Sequence, residues 1–293
     1  MKILPSFLRH GLISAGRNYF APHAAARRHD LAHDKSGVSL HMVVGHSMLP
    51  MGLVALRSWE FHTRRVWRPV VHEDGTFTSE DKKLLLTHFP DARIVQRAEA
   101  DREVTAALEK FPACRDHRTK HNWFLKVFDT RHYAAGRRYI ILDSDIVFFR
   151  RPSRALDWID HHSEEMWIMR DDREKYSHPR AEVECAMGVT MVERGNSGLD
   201  LMNKESADLG LADRFLSRCA ATAHQYEFLE QTIFALWVSA WKKGGLLPAD
   251  EYEITWNNFR GPRAVCRHYI GPAKNDAFFV EGAPVFWWQS LKP

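Results

Sequence analysis

Tyr139-Ile140-Ile141-Leu142-Asp143-Ser144-Asp145 decides how the rest of this chain is read. Four consecutive apolar residues suit a central strand covered on both faces. The two acids then fall at the carboxyl end of that strand, where open α/β sheets bind their ligands. Upstream, Trp123, Val127 and Thr130, with Phe124 and Phe128, recur at helical spacing and predict one helix over roughly His117 to Ala135. Further back, Val38–Val44 reads as a buried strand, Gly45–Pro50 as a turn, and the stretch to about Phe61 as a helix. Arg68–His72 is a second strand, ended by Asp74-Gly75. Thr78 or Ser79 caps an acidic first turn of a helix to about His88, and Arg93–Gln96 is a third strand. Downstream, Val147–Phe149 continues the pattern. Met166–Met169 and Cys185–Val192 are strand candidates, and Glu205–Leu216 and Tyr226–Trp241 are helices. Alternating strands and helices predict an α/β fold, a mainly parallel Rossmann-like sheet flanked by helices. The expected organisation is a basic extension over residues 1–37 and one domain over 38–293.

The bulk numbers narrow the function. With 41 basic and 37 acidic residues the net charge is +4, too balanced for a nucleic-acid binder. Cys114, Cys185, Cys219 and Cys266 have no zinc-type spacing and read as reduced, mostly buried thiols of a cytoplasmic protein. Val38–Leu56 lacks charge but carries two histidines, two glycines and Pro50, which suits strand–turn–helix better than a bilayer span. Residues 1–29 hold Lys2, Arg9, Arg17, Arg27 and Arg28 and no acid. They read as a targeting segment, as an arm making peripheral contact with anionic lipid, or as an unordered extension.

Asp143 and Asp145, two apart on an extended segment, point the same way and can converge on one hard cation, Mn²⁺ or Mg²⁺. A metal there can neutralise a departing diphosphate. Alone the signal is weak, since 19 aspartates give roughly one such spacing by chance. The second constellation is His268-Tyr-Ile-Gly271-Pro-Ala-Lys274, expected by chance only about a few hundredths of a time. An imidazole joining two carboxylates favours Mn²⁺. Gly271 lets the backbone approach a phosphate, and Lys274 brings a cation to it.

Together these motifs resemble the retaining glycosyltransferases of family 8, with the GT-A fold. The resemblance spans about Val38 to Glu281 and is clear only at the motifs. It implies Asp143, Asp145 and His268 as Mn²⁺ ligands, and Gly271 and Lys274 on the diphosphate of a UDP-sugar. Asn196-Ser197-Gly198 is similar to the family's segment lining the sugar pocket. Glu230-Gln231 resembles its Asp-Gln pair beside the anomeric carbon and takes the catalytic position. Lys126 stands where the family has a basic residue, usually Arg, near the donor, and Asp171 matches an acid on the sugar hydroxyls, with Asp172 competing. The base and ribose would lie at the end of the first strand, near Val44 and Gly45, with Asp74 and Ser144 alongside. Each has a plain structural reading: a turn for Asn196-Ser-Gly and for Asp74-Gly75, a polar helix face for Glu230-Gln231, a surface stem for Lys126. The sequence departs from the family in having Glu230 for Asp, Lys126 for Arg, and Asn275-Asp276 where a tryptophan often follows the lysine. The late aromatics Trp256, Phe259, Phe286, Trp287 and Trp288 serve as core or as an acceptor platform.

The resulting expectation is metal-dependent transfer of a sugar from a nucleotide-sugar to an acceptor that is a glycan, a lipid-linked group or a protein. A metal-dependent phosphoesterase and a non-catalytic nucleotide-sugar binder are the alternatives.

Overall fold

A computed structural model describes residues 6–255 and 263–291. Its centre is a sheet of seven strands: β1 (Ser39–Val44), β2 (Val70–Glu73), β3 (Arg93–Val95), β4 (Arg138–Leu142), β6 (Met166–Arg170), β7 (Gly195–Asn203) and β8 (Gly244–Leu246), in the order β3-β2-β1-β4-β7-β6-β8. The first four are mutually parallel, β7 runs antiparallel to both its neighbours, and β8 is parallel to β6. A second, three-stranded sheet joins β5 (Ile146–Phe148), β10 (Cys266–Tyr269) and β9 (Tyr252–Thr255).

The predicted α/β architecture is present, and the apolar run of β4 explains it. Ile140 and Leu142 face one core with Leu40, Met42, Val44 and the helix Leu49–Thr63; Tyr139 and Ile141 face another with the helices Phe124–Tyr133 and Leu229–Trp241. Burying one such aliphatic side chain contributes about 1.5–3 kcal/mol, so a strand covered on both faces can only be central. Thr78 caps the helix Ser79–His88 in a capping box with Asp81.

Four local readings differ from the structure. The helix read over His117–Ala135 is two helices, Pro112–Lys120 and Phe124–Tyr133, broken at residues 121–123. The helix read over Glu205–Leu216 begins only at Leu209 and runs to Cys219. Cys185–Val192 is not a strand: the helix Arg180–Met187 ends there on Gly188, whose φ of 66° is the left-handed cap that glycine favours. Asn196-Ser-Gly198 is not a turn but the start of β7, every residue of which is buried. Glycine, asparagine, serine and aspartate are poor strand formers, so only pairing on both sides holds β7 extended.

Residues 6–26 are helical. Ala21, Ala24 and Ala25 are buried, and this segment packs against the helices Leu49–Thr63 and Ala283–Ser290. All four cysteines are unpaired thiols, with Cys185 exposed and the others buried. Among the described residues no helix is long and apolar enough to cross a membrane. Of the late aromatics, Trp256 and Phe259 lie outside the described residues, Phe286 is core, and Trp288 is exposed.

Candidate active site

Parallel β1, β2 and β4 end at the same edge, which brings together Gly45, Asp74 and Asp143. Antiparallel β7 begins at that edge. Leu142 pairs with Leu199, and the Asp143 amide donates to the Gly198 carbonyl at 2.9 Å. The pairing of β7 with β6 is irregular here: Ile168 faces Asp200 while Met169 faces Asn196, so residues 197–199 bulge beside the carboxylates. His268 arrives through the smaller sheet. It pairs with Ile146, and the Tyr269 amide donates to the Asp145 carbonyl at 2.9 Å, clamping β10 beside the aspartate turn.

The ligand atoms of Asp143, Asp145 and His268 all lie within 4.8 Å of one another. His268 Nε2 stands 3.2 Å from Asp145 Oδ1 and 3.7 Å from Asp143 Oδ2. Its Nδ1 is 3.0 Å from Asn196 Oδ1. The Asn196 amide is fully used: Oδ1 also accepts from the Gly198 amide at 3.0 Å, and Nδ2 donates to Asp171 Oδ2 and to Gln231 Oε1, each at 3.1 Å. Because Oδ1 can only accept, Nδ1 must carry the proton. In the metal-binding form of the ring, Nε2 then turns its lone pair toward two carboxylates. Three acceptors facing one another call for a cation among them, and the donor set suits Mn²⁺ or another divalent ion with mixed nitrogen and oxygen preference.

Two lysines flank the carboxylates. Lys126 Nζ lies 2.7 Å from Asp143 Oδ1, 3.5 Å from Glu230 Oε1 and 3.4 Å from Ser197 Oγ. It is buried rather than spread on a helix surface. Burial alone would lower its pKa, but Asp143, Glu230 and Asp200 outweigh that and raise it, so the ammonium is fixed. Lys274 Nζ lies 2.7 Å from Asp145 Oδ2 and keeps partial exposure. With no metal bound, burial pushes the Asp145 carboxyl up, yet His268 and Lys274 hold it well below the usual range. Gly271 has φ 54° and ψ −131°, a region closed to side chains, and this sharp bend starts the turn Pro272–Asn275 that carries Lys274.

On the far side of Asn196, Asp171 is buried and receives Lys175 Nζ at 2.9 Å, while Asp172 is exposed. Glu230 and Gln231 occupy the buried first turn of the helix Leu229–Trp241. Glu230 accepts from Ser197 Oγ at 3.2 Å, and burial, partly offset by Lys126, raises its pKa. Gln231 donates to the Lys175 carbonyl at 2.7 Å. One continuous network thus links Asp143, Asp145, His268, Asn196, Ser197, Asp171, Lys126, Glu230, Gln231 and Lys274.

The nucleotide candidates stand beside it rather than in it. The Val44 side chain lies in the core, leaving its main chain and Gly45 at the strand end. Asp74 Oδ1 is engaged by Thr76 in its own turn, and its carboxyl lies against Gly45 where a Cβ would otherwise stand. Ser144 is buried near Gly52. Two residues carry roles that their motifs did not announce. Gly198 faces the His268 ring, leaving no room for a side chain. Lys175 balances Asp171 from four residues away, a spacing that could have been read.

No protein-family model matches this sequence, and no curated protein matches it. Solved structures do match in fold. Mouse xyloside xylosyltransferase 1, apo form, aligns over 79% of this chain and 96% of its own, with 16% identity and a TM-score of 0.54. Galactosyltransferase LgtC, in complex with donor and acceptor sugar analogues, aligns over 86% and 95%, with 13% identity and a TM-score of 0.55. The glycosyltransferase GlyE of Streptococcus pneumoniae TIGR4 aligns over 87% and 61%, with 10% identity and a TM-score of 0.51. The chain therefore has the GT-A glycosyltransferase fold, the one its motifs implied, and within it the Asp143–Asp145–His268 cluster occupies the carboxyl edge of the sheet.

Proposed function

We propose that this chain is a metal-dependent glycosyltransferase that moves a sugar from a nucleoside-diphosphate sugar, with UDP as the nucleotide, to an acceptor hydroxyl. The observation that carries the reading is the convergence of Asp143, Asp145 and His268, with Nε2 turned toward the carboxylates and Lys274 beside Asp145 on its glycine-bent turn.

Asp143, Asp145 and His268 would hold the metal, which when bound neutralises diphosphate charge. Lys274 adds its ammonium to the same phosphates, and Gly271 removes the side chain that would keep the backbone from them. Val44, Gly45, Asp74 and Ser144 border the space for base and ribose. Asp171 and Ser197 address the sugar. Asn196 positions His268 and Asp171, since its own donors and acceptors are spent within the protein. Glu230 and Gln231 face the reacting carbon, where positive charge develops as the bond to phosphate breaks. The resemblance to family 8 supports retention of configuration. Front-face attack, with the leaving phosphate taking the acceptor proton, and a covalent intermediate on Glu230 both satisfy it.

The test is incubation with UDP-, GDP- and CMP-sugars and Mn²⁺. Slow sugar release to water with UDP formation is expected, along with an apparent stabilisation of about 2.7 kcal/mol at a hundredfold excess over Kd. Asp145→Ala should abolish both the release and the Mn²⁺ dependence. Full Mn²⁺-dependent activity in that variant would overturn the site, and turnover of unrelated phosphoesters with none of nucleotide-sugars would favour a phosphoesterase.

A further inference from the structure

The N-terminal helical segment shows three faces. Arg9, Ile13, Gly16 and Phe20 turn inward: Arg9 ion-pairs with Asp276, Gly16 lies against the Phe279 main chain, and the Phe20 ring is 5.2 Å from Trp287. His10, Ser14 and Arg17 form a polar flank. The third face is apolar and open to solvent. Phe7, Gly11 and Ala15 follow at every fourth position with Leu8 and Leu12 beside them; Phe7 is 71% exposed and Leu12 45%. Tyr19, 48% exposed, meets the Trp287 ring at 6.1 Å, and the next residue, Trp288, is 64% exposed on the helix Ala283–Ser290. A helix already anchored by one face has no need of a second apolar one for its own fold.

We propose that this face docks the protein on an anionic lipid surface, with Phe7, Leu8 and Leu12 in the acyl boundary and Tyr19 and Trp288 at the headgroup level. The charge around it names the partner. The first 29 residues contain no acid, nor do those after Glu281; on the same segment Arg17 lies over the Phe279 ring, and Arg27 reaches the Ser290 carbonyl at the end of the helix that carries Trp288. A second copy of the chain would bring the same cationic border against itself, which like-charge repulsion opposes. An amphipathic helix with a basic flank and aromatic edge is the form that lies in a bilayer interface. The inward anchors place this surface directly behind the segment Asp276–Phe279, which follows Lys274, but the proposal stands whatever reaction the site performs.

Co-sedimentation of the full chain with phosphatidylcholine vesicles, with and without phosphatidylglycerol, tests it. Binding is expected only to the anionic vesicles, weakening as salt rises, with F7E/L12E lowering the partition coefficient by about tenfold or more. Should that double variant unfold, Trp288→Ala, which alters an exposed side chain at the other end of the face, should still reduce binding several-fold. Equal binding to neutral vesicles, no binding to either, or retention of binding by folded F7E/L12E overturns the proposal. So does a wild-type dimer, seen by sedimentation velocity, that F7E/L12E converts to monomer.

Discussion

Asn196→Ala tests the hinge of the site. The wild-type amide makes four hydrogen bonds of 3.0–3.1 Å and is buried. Two of its partners keep other bonds after truncation: Asp171 retains Lys175, and Gln231 retains the Lys175 carbonyl. The Gly198 amide and His268 Nδ1–H lose theirs. A buried donor left unpaired costs about 1–3 kcal/mol, so the variant should lose roughly 3 kcal/mol of stability, read as a shift in urea midpoint with unchanged slope. The second effect concerns the metal. With Oδ1 gone, nothing fixes the proton on Nδ1 or the ring orientation, and a ligand freed in this way typically loses about 10–100-fold in metal affinity. Calorimetric titration with Mn²⁺ measures it. Asn196→Asp separates the two effects, because it keeps an acceptor for His268 while setting a second carboxylate oxygen against Asp171 and Gln231. It should lose stability and retain more of the Mn²⁺ affinity than the alanine variant. A folded Asn196→Ala protein with unchanged Mn²⁺ affinity would refute the reasoning.

Gly271→Ala forces a side chain into φ 54°, ψ −131° and should cost about 1–3 kcal/mol, with a raised KM for the nucleotide-sugar as Lys274 shifts. Gly198→Ala drives a methyl into the His268 ring; weakened Mn²⁺ binding in a protein that still folds is the expected result, checked by the same titration. The buried pair His41–His72, Nδ1 to Nε2 at 2.9 Å, predicts acid sensitivity away from the site. Burial, with Arg93 and Lys204, lowers the His41 pKa from 6.5 to about 3, so the unfolded chain binds the extra proton between those values and stability falls as pH drops below about 6.5. At pH 5 this one group should cost about 2 kcal/mol relative to neutrality. The difference between urea midpoints at pH 7 and pH 5 should shrink in His41→Asn, with His72 and His62, whose pKa values are also lowered by burial, sustaining the rest, and an unaltered difference would count against the assignment.

How much of this was legible beforehand depended on whether the signal was local. The apolar run Tyr139–Leu142 announced a strand buried on both faces because its composition admits no exposed side. The turn at Gly45, the cap at Thr78 and the acids at Asp143 and Asp145 followed from neighbours in sequence. The ordered set His268, Gly271 and Lys274 was legible as a motif, and so were Asn196 and Glu230-Gln231 through a family resemblance.

Other features had no local cause. β7 carries two glycines, two asparagines and an aspartate and is a strand only because β4 and β6 pair with it on both sides. The break at residues 121–123 and the burial of Lys126 depend on packing between elements far apart in the chain. Sequence alone supplied the ligand types and the strand that presents two of them. Tertiary structure decided their assembly: antiparallel pairing of β10 with β5 carries His268 across 123 positions to Asp145, and the bulged start of β7 sets Asn196 behind the ring to choose which nitrogen faces the carboxylates. Residue spacing determines what one strand or helix displays; which two strands lie side by side is settled by the burial of both sheet faces together.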